Sequence, residues 1–139
     1  MHEAITLDTG ELTPEQMNQI LKTLPVELTF VDETDTVRYF TGVPDKIFPR
    51  GKGSLGTRVQ GCHPKKSLHL VEQIIEAFRA GRADTAEFWI EMKGRFVYIQ
   101  YFAVRDDDGT YKGVLEAVQD ATHIRELKGE QRLLDLKLE

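Results

Sequence analysis

KKSLHLVEQIIEAFRAGRADTAEFWIEMKGRFVYIQYFAVRDDDGTYKGVLEAVQ, residues 65–119, reads as one long helix followed by three strands. At 100° per residue, Leu68, Leu70, Val71, Ile74, Ile75 and Phe78 fall within one arc of about 160°. His69, Glu72, Gln73 and Glu76 fall opposite them, and Gly81 ends the pattern. The period then changes to two. Residues 85–92 and 95–104 are strand-like runs joined around Lys93-Gly94, and Asp-Gly in DDDGT leads into a last strand over 111–119. In the middle run Phe96, Tyr98 and Gln100 share one face, with Val97, Ile99 and Tyr101 on the other. Both faces are apolar enough to be covered. One is expected to meet the long helix and any ligand, the other the N-terminal helix or a second subunit.

Upstream, Thr13-Pro14-Glu15-Gln16 is a helix start, with Thr13 as cap, Pro14 at the first helical position and Gln16 completing a capping box. Met17, Ile20, Leu21 and Leu24 form its apolar stripe and Pro25 stops it. Residues 26–31 and 36–40 flank the polar turn 32–35 as a hairpin. The expectation is an α+β fold: a five-stranded antiparallel sheet with helices covering one face, plus flanking N- and C-terminal helices. Residues 1–12 read as a frayed leader, so that 1–24 is leader and flanking helix and 25–122 the domain. Residues 43–48 are expected to form a short helical turn. From His123 the chain becomes charged and helical in pattern, with Ile124, Leu127, Gln131, Leu134 and Leu138 at heptad spacing. Residues 123–139 are therefore expected to leave the domain as a helix.

Between the hairpin and the long helix lies FPRGKGSLGTRVQGCHPKKSL, residues 48–68, with four of the eleven glycines, the single cysteine and one of four histidines. From Lys46 onward it carries Arg50, Lys52, Arg58, Lys65 and Lys66 and no acidic residue, in a chain of net charge −5. A segment this long inside a compact domain is usually functional. It is expected to wall a binding site. Free N–H groups at the start of the long helix, beside Cys62 and His63, would favour an anion. Lys65 and Lys66 oppose the helix dipole there unless an anion binds, and Arg50 and Arg58 could add bidentate contacts.

The length suits one domain with a single core. With 40% hydrophobic and 29% charged residues, the composition is that of an ordinary globular chain. No apolar run approaches the roughly 20 residues a membrane-spanning helix needs. The first residues have neither the basic nor the apolar part of a signal peptide. One cysteine rules out an internal disulfide and suits a reducing cytoplasm. The acidic balance argues against a nucleic-acid-binding face. Paired carboxylates, a Ser-His-Asp order and a phosphate loop are not seen, so an enzyme is the least expected class.

The element order together with these residues resembles the PAS (Per-Arnt-Sim) domain, in the form found at the C-terminus of proteins of the "domain of unknown function 438" type. The resemblance rests on the hairpin of residues 26–40; on Phe48-Pro49-Arg50, Leu55-Gly56-Thr57-Arg58-Val59 and Gly61-Cys62-His63-Pro64-Lys65-Lys66-Ser67; and on Phe88-Trp89-Ile90 with Val118-Gln119-Asp120-Ala121-Thr122. It covers about residues 24–122. It implies a sensory module that binds a small anionic or metabolite ligand between sheet and long helix. It also implies homodimerisation and signalling through the flanking helices. Arg50, Arg58, Cys62, His63, Lys65 and Lys66 are the candidate ligand-binding residues. One alternative is a haem or redox sensor, with His63 as the haem ligand and Cys62 as thiolate; another is a ligand-free dimerisation scaffold. The surroundings of Cys62 do not match the flavin-binding Asn-Cys-Arg-Phe-Leu-Gln pattern, and structural zinc lacks its paired ligands.

Overall fold

The computed structural model describes residues 3–44, 46–62 and 65–138, with only the backbone of Cys62 and Lys65. A two-stranded hairpin, β1 (Ile5–Thr6) and β2 (Glu11–Leu12), precedes α1 (Pro14–Thr23). β3 (Glu27–Asp32), β4 (Val37–Phe40), α2 (Lys65–Arg79), β5 (Thr85–Met92), β6 (Arg95–Arg105), β7 (Tyr111–Asp120) and α3 (Thr122–Glu126) follow. β3 to β7 form one antiparallel sheet in the order β4-β3-β7-β6-β5. This is the expected α+β architecture.

Local chemistry accounts for each junction. The Thr13 hydroxyl accepts from the Gln16 amide at 3.1 Å, and the Gln16 side chain accepts from the Thr13 amide at 2.9 Å. Both halves of the capping box are thus made. Lys93 and Gly94 both have positive φ, 51° and 78°, the backbone of a two-residue hairpin turn. Asp32 and Asp106 organise the other two turns. Asp32 Oδ1 accepts from the amides of Thr34 and Thr36 at 2.9 and 3.1 Å, and Asp106 Oδ1 from those of Asp108 and Thr110 at 2.9 and 3.0 Å. At the exit, the Phe96 amide donates to the Thr122 hydroxyl at 2.8 Å, and Asp120 accepts from Thr122. That contact, with Arg95 nearby, holds the Asp120 carboxyl below its usual range.

One face of the sheet carries the core. Ile75 and Phe78 of α2 are buried with Val31, Val37, Val59 and Val114. Val97, Ile99 and Val118 form a second cluster, covered by Ile47 and Phe48 rather than by a helix. The glycine-rich segment that supplies Val59 runs along β4. Val37 and Thr57, Gly56 and Val37, and Val59 and Asp35 are joined by backbone hydrogen bonds of 2.8–2.9 Å.

Three expectations are corrected. The leader is not frayed throughout, because residues 5–12 close a hairpin with Leu7 N donating to Gly10 O at 2.9 Å. The described residues of 43–48 form no helical turn; Ile47 and Phe48 instead give their amides to the Glu27 carboxylate. The C-terminal helix stops at Glu126, where Leu127 turns extended with ψ 140°. Beyond it only Leu133–Asp135 makes a short 3-10 turn, and Leu134 and Leu138 are 97% and 88% exposed. An isolated amphipathic segment has nothing to bury its stripe against, and short helices are marginal in water.

Gly113 has φ 144° where β7 passes β3, and a Cβ there would lie 2.1 Å from the Val31 carbonyl oxygen. Replacing it must push the two central strands apart. Gly113→Ala is expected to destabilise the fold by on the order of 3 kcal/mol or more in denaturant unfolding. Gly53→Ala, which meets no atom within 4 Å, should lie close to wild type by the same measurement.

Candidate functional site

Strand periodicity places Val114, Glu116 and Val118 on the inner face of β7, so one carboxylate points inward between two valines. Cross-strand register sets Tyr101 of β6 on one side of Glu116 and Thr29 of β3 on the other. Arg50 comes down onto this row from the basic segment. Its guanidinium lies 3.0 Å from Glu116 Oε1, and the two side chains are only 18% and 14% exposed. Tyr101 stands directly across from Glu116 in the register of β6 and β7. Burial first, and the Glu116 charge second, push its ionisation well above the ordinary tyrosine value.

These groups form the polar end of a cavity of about 40 Å³, otherwise lined by Val31, Val59, Val71, Ile74, Ile75 and Val114. By volume it holds a few waters. Next to it a larger groove of about 630 Å³ opens between α2 and β5, lined by Leu70, Ala77, Phe78, Ala83, Ala86 and Phe88. Val71, Ile74 and Tyr101 line both spaces. The two spaces adjoin across these three side chains, the groove apolar and the cavity ionic at its inner end.

A second pair of opposite charges lies on the far side of Arg50. Glu27 holds the Ile47 amide at 2.6 Å, and Lys46 stands 3.8 Å above the Phe40 ring. Desolvation lowers the Lys46 pKa, and the Glu27 charge partly opposes it. Glu27 and Glu116 thus fasten residues 46–50 to β3 and β7.

Arg58 is elsewhere. It sits 3.5 Å from Asp35, which also accepts from Arg79 at 2.8 Å and from Gln60 at 3.0 Å, beside a separate polar crevice. The structure therefore brings Arg50 to Glu116 and Arg58 to Asp35, and does not bring the two arginines together. Lys66 is exposed at the start of α2. His63 and the side chains of Cys62 and Lys65 lie outside the described residues, as does their part of the expected anion site. Sequence reasoning missed Glu116 and the polar role of Tyr101. A signal was present, since Glu116 is the only acidic residue in residues 111–119 and falls on the apolar phase of the strand.

A family model described as PAS domain matches residues 17–122. The chain belongs to the PAS domain family. A C-terminal domain from Streptococcus mutans is 39% identical, with a TM-score of 0.86 over 91% of this chain and 98% of that one. A sensory box sensor histidine kinase from Vibrio cholerae (16% identity, TM-score 0.55, 76% of this chain and 89% of that one) shares the fold. So does a PAS domain from Colwellia psychrerythraea, at 14% identity and TM-score 0.56 over 78% of this chain and 97% of that one. No curated relative matches in sequence. The Vibrio cholerae neighbour is described as a sensory box sensor histidine kinase, and this PAS domain shares its fold.

Removing one member of a buried ion pair leaves the other without compensation. Glu116→Ala is expected to cost this PAS domain roughly 3 kcal/mol by denaturant unfolding. The double variant Arg50→Met, Glu116→Leu should recover most of that loss, and a double-mutant cycle reads the coupling directly.

Proposed function

We propose that this PAS domain senses a small metabolite bound in the cleft between α2 and the sheet and relays its occupancy as a homodimer. The observation that carries the reading is the pair of adjoining spaces: an apolar groove of about 630 Å³ beside a cavity that holds the part-buried Arg50–Glu116 pair. Buried ion pairs contribute little net stability against apolar replacements, so a charged pair kept at the end of an apolar cleft favours a binding role. The reading is of a cytoplasmic, non-catalytic module, in keeping with the single cysteine. No helix among the described residues is long and apolar enough to cross a membrane.

The motif residues 48–50, 55–59 and 61–67 support placing the chain in the "domain of unknown function 438" subgroup. Relay would follow from geometry. Glu116 of β7 lines the inner cavity, and β7 leads within a few residues to the Asp120–Thr122 anchor and α3.

Ala86 on the edge strand lines the groove without touching the Arg50–Glu116 pair. A denaturing mass spectrum of wild-type protein fresh from cells should show a released small molecule, which Ala86→Trp loses while keeping its melting curve. A Soret band in the accompanying absorption spectrum would instead support the haem reading through His63. Absence of any released molecule from wild type would favour the empty dimerisation scaffold.

The dimer reading is supported by apolar surface on the other side of the sheet and on α1. Trp89 is 57% exposed, Ile20 and Leu24 are 47% and 42% exposed, and α1 buries none of its residues. Light scattering at micromolar concentration should give twice the chain mass. Ile20→Glu with Trp89→Glu should halve it, and a clean wild-type monomer would sink the dimer.

A further inference from the structure

Tyr101 belongs to both parts of the cleft. Its ring stands 5.9 Å from that of Phe88, centroid to centroid, on the groove side. It stands across from Glu116 on the cavity side. The other described residues shared by both spaces are Val71 and Ile74 of α2, β-branched side chains that are stiff at χ1 in a helix and form a thin, fixed partition. A molecule lying in the groove along Phe88 and Tyr101 is therefore one side-chain layer from Arg50 and Glu116.

The charge balance there is even. Arg50 and Glu116 are 3.0 Å apart in a largely desolvated position, and Lys46 and Glu27 add one further charge of each sign behind them. A guanidinium has five N–H donors and a carboxylate about four acceptor positions, so one contact between them leaves capacity on both. A ligand carboxylate would set a second negative charge beside Glu116 with water excluded, and an ammonium would do the same to Arg50. Like charges brought together in such a place cost several kcal/mol. A head that is neutral, with an acceptor and a donor side by side, satisfies both residues without disturbing the balance.

Resting on the reading of the cleft as the binding site, the geometry points to a neutral ligand with an apolar body and a carboxamide-like head, its carbonyl on Arg50 and its N–H on Glu116. The body occupies the groove against Phe88 and Ala86, and the head enters past Ile74. A free anion is not the preferred occupant, because Glu116 already compensates the arginine.

Hexanamide and hexanoate, matched in length and differing in charge, test this by titration at neutral pH. The readout is methyl NMR of the full chain, followed at Val71 and Ile74. Hexanamide is expected to shift these methyls with roughly tenfold or greater preference over hexanoate. Glu116→Gln keeps the size and an acceptor for Arg50 but removes the balancing charge, and it should reverse the order of the two probes. Hexanoate binding wild type as well as hexanamide, or an unchanged order in a folded Glu116→Gln, would overturn the neutral class and leave the cleft as a site. Neither probe moving the Val71 or Ile74 methyls would overturn the cleft reading itself. The wild-type comparison decides the class alone should the variant fail to fold.

Discussion

β3 pairs with β7 along its whole length, from Glu27 opposite Val118 to Asp32 opposite Gly113, and nearly everything else depends on that pairing. It joins a strand near the start of the domain to the last one. The β3–β4 hairpin alone would be a two-stranded ribbon, marginal in water, until it joins the three-stranded meander of β5, β6 and β7. Once β3 is in place, β4 gains a partner, the glycine-rich segment gains β4 to run along, and α2 gains a floor. The price is contact order: the pairing must wait for most of the chain, which makes folding slower than for a fold of local contacts. Gly113 is the steric condition of this arrangement, because no side chain fits where the two backbones approach.

The same pairing assembles the cleft. Tyr101, Glu116 and Thr29 stand in one row only because β6, β7 and β3 are adjacent and in that register. A slip of one residue would turn Glu116 to the outer face and bring Leu115 inward. The ion pair is thus a consequence of register and also a penalty for losing it, since a wrong register strands Arg50 without its carboxylate.

The inner face is covered by two unlike layers. α2 packs with Ile75 and Phe78 over one half, while residues 46–50 pack with Ile47 and Phe48 over the other. The helix is held by its own backbone and a broad apolar stripe. The loop is held by Glu27 and Glu116, two carboxylates reaching from the strands to Ile47, Phe48 and Arg50.

The local elements were legible in the sequence because their causes are local. Thr13-Pro14-Glu15-Gln16 carries its capping box, Lys93-Gly94 its turn, and residues 65–79 their apolar arc. The α+β class, the five antiparallel strands and the family follow from that order. The C-terminal stripe from Ile124 to Leu138 misled for the same reason. Periodicity records a face that wants a partner, and among the described residues Leu134 and Leu138 stay exposed. The site was legible only in part. Arg50 could be singled out by charge, but charge alone suggested an anion and a partnership with Arg58. The carboxylates that meet these arginines lie far from them along the chain, Glu116 on β7 and Asp35 between β3 and β4. Sequence determined which side chains of a strand share a face; tertiary structure alone decided which face turns inward and which inward charges meet, because strand order and register are properties of the closed sheet.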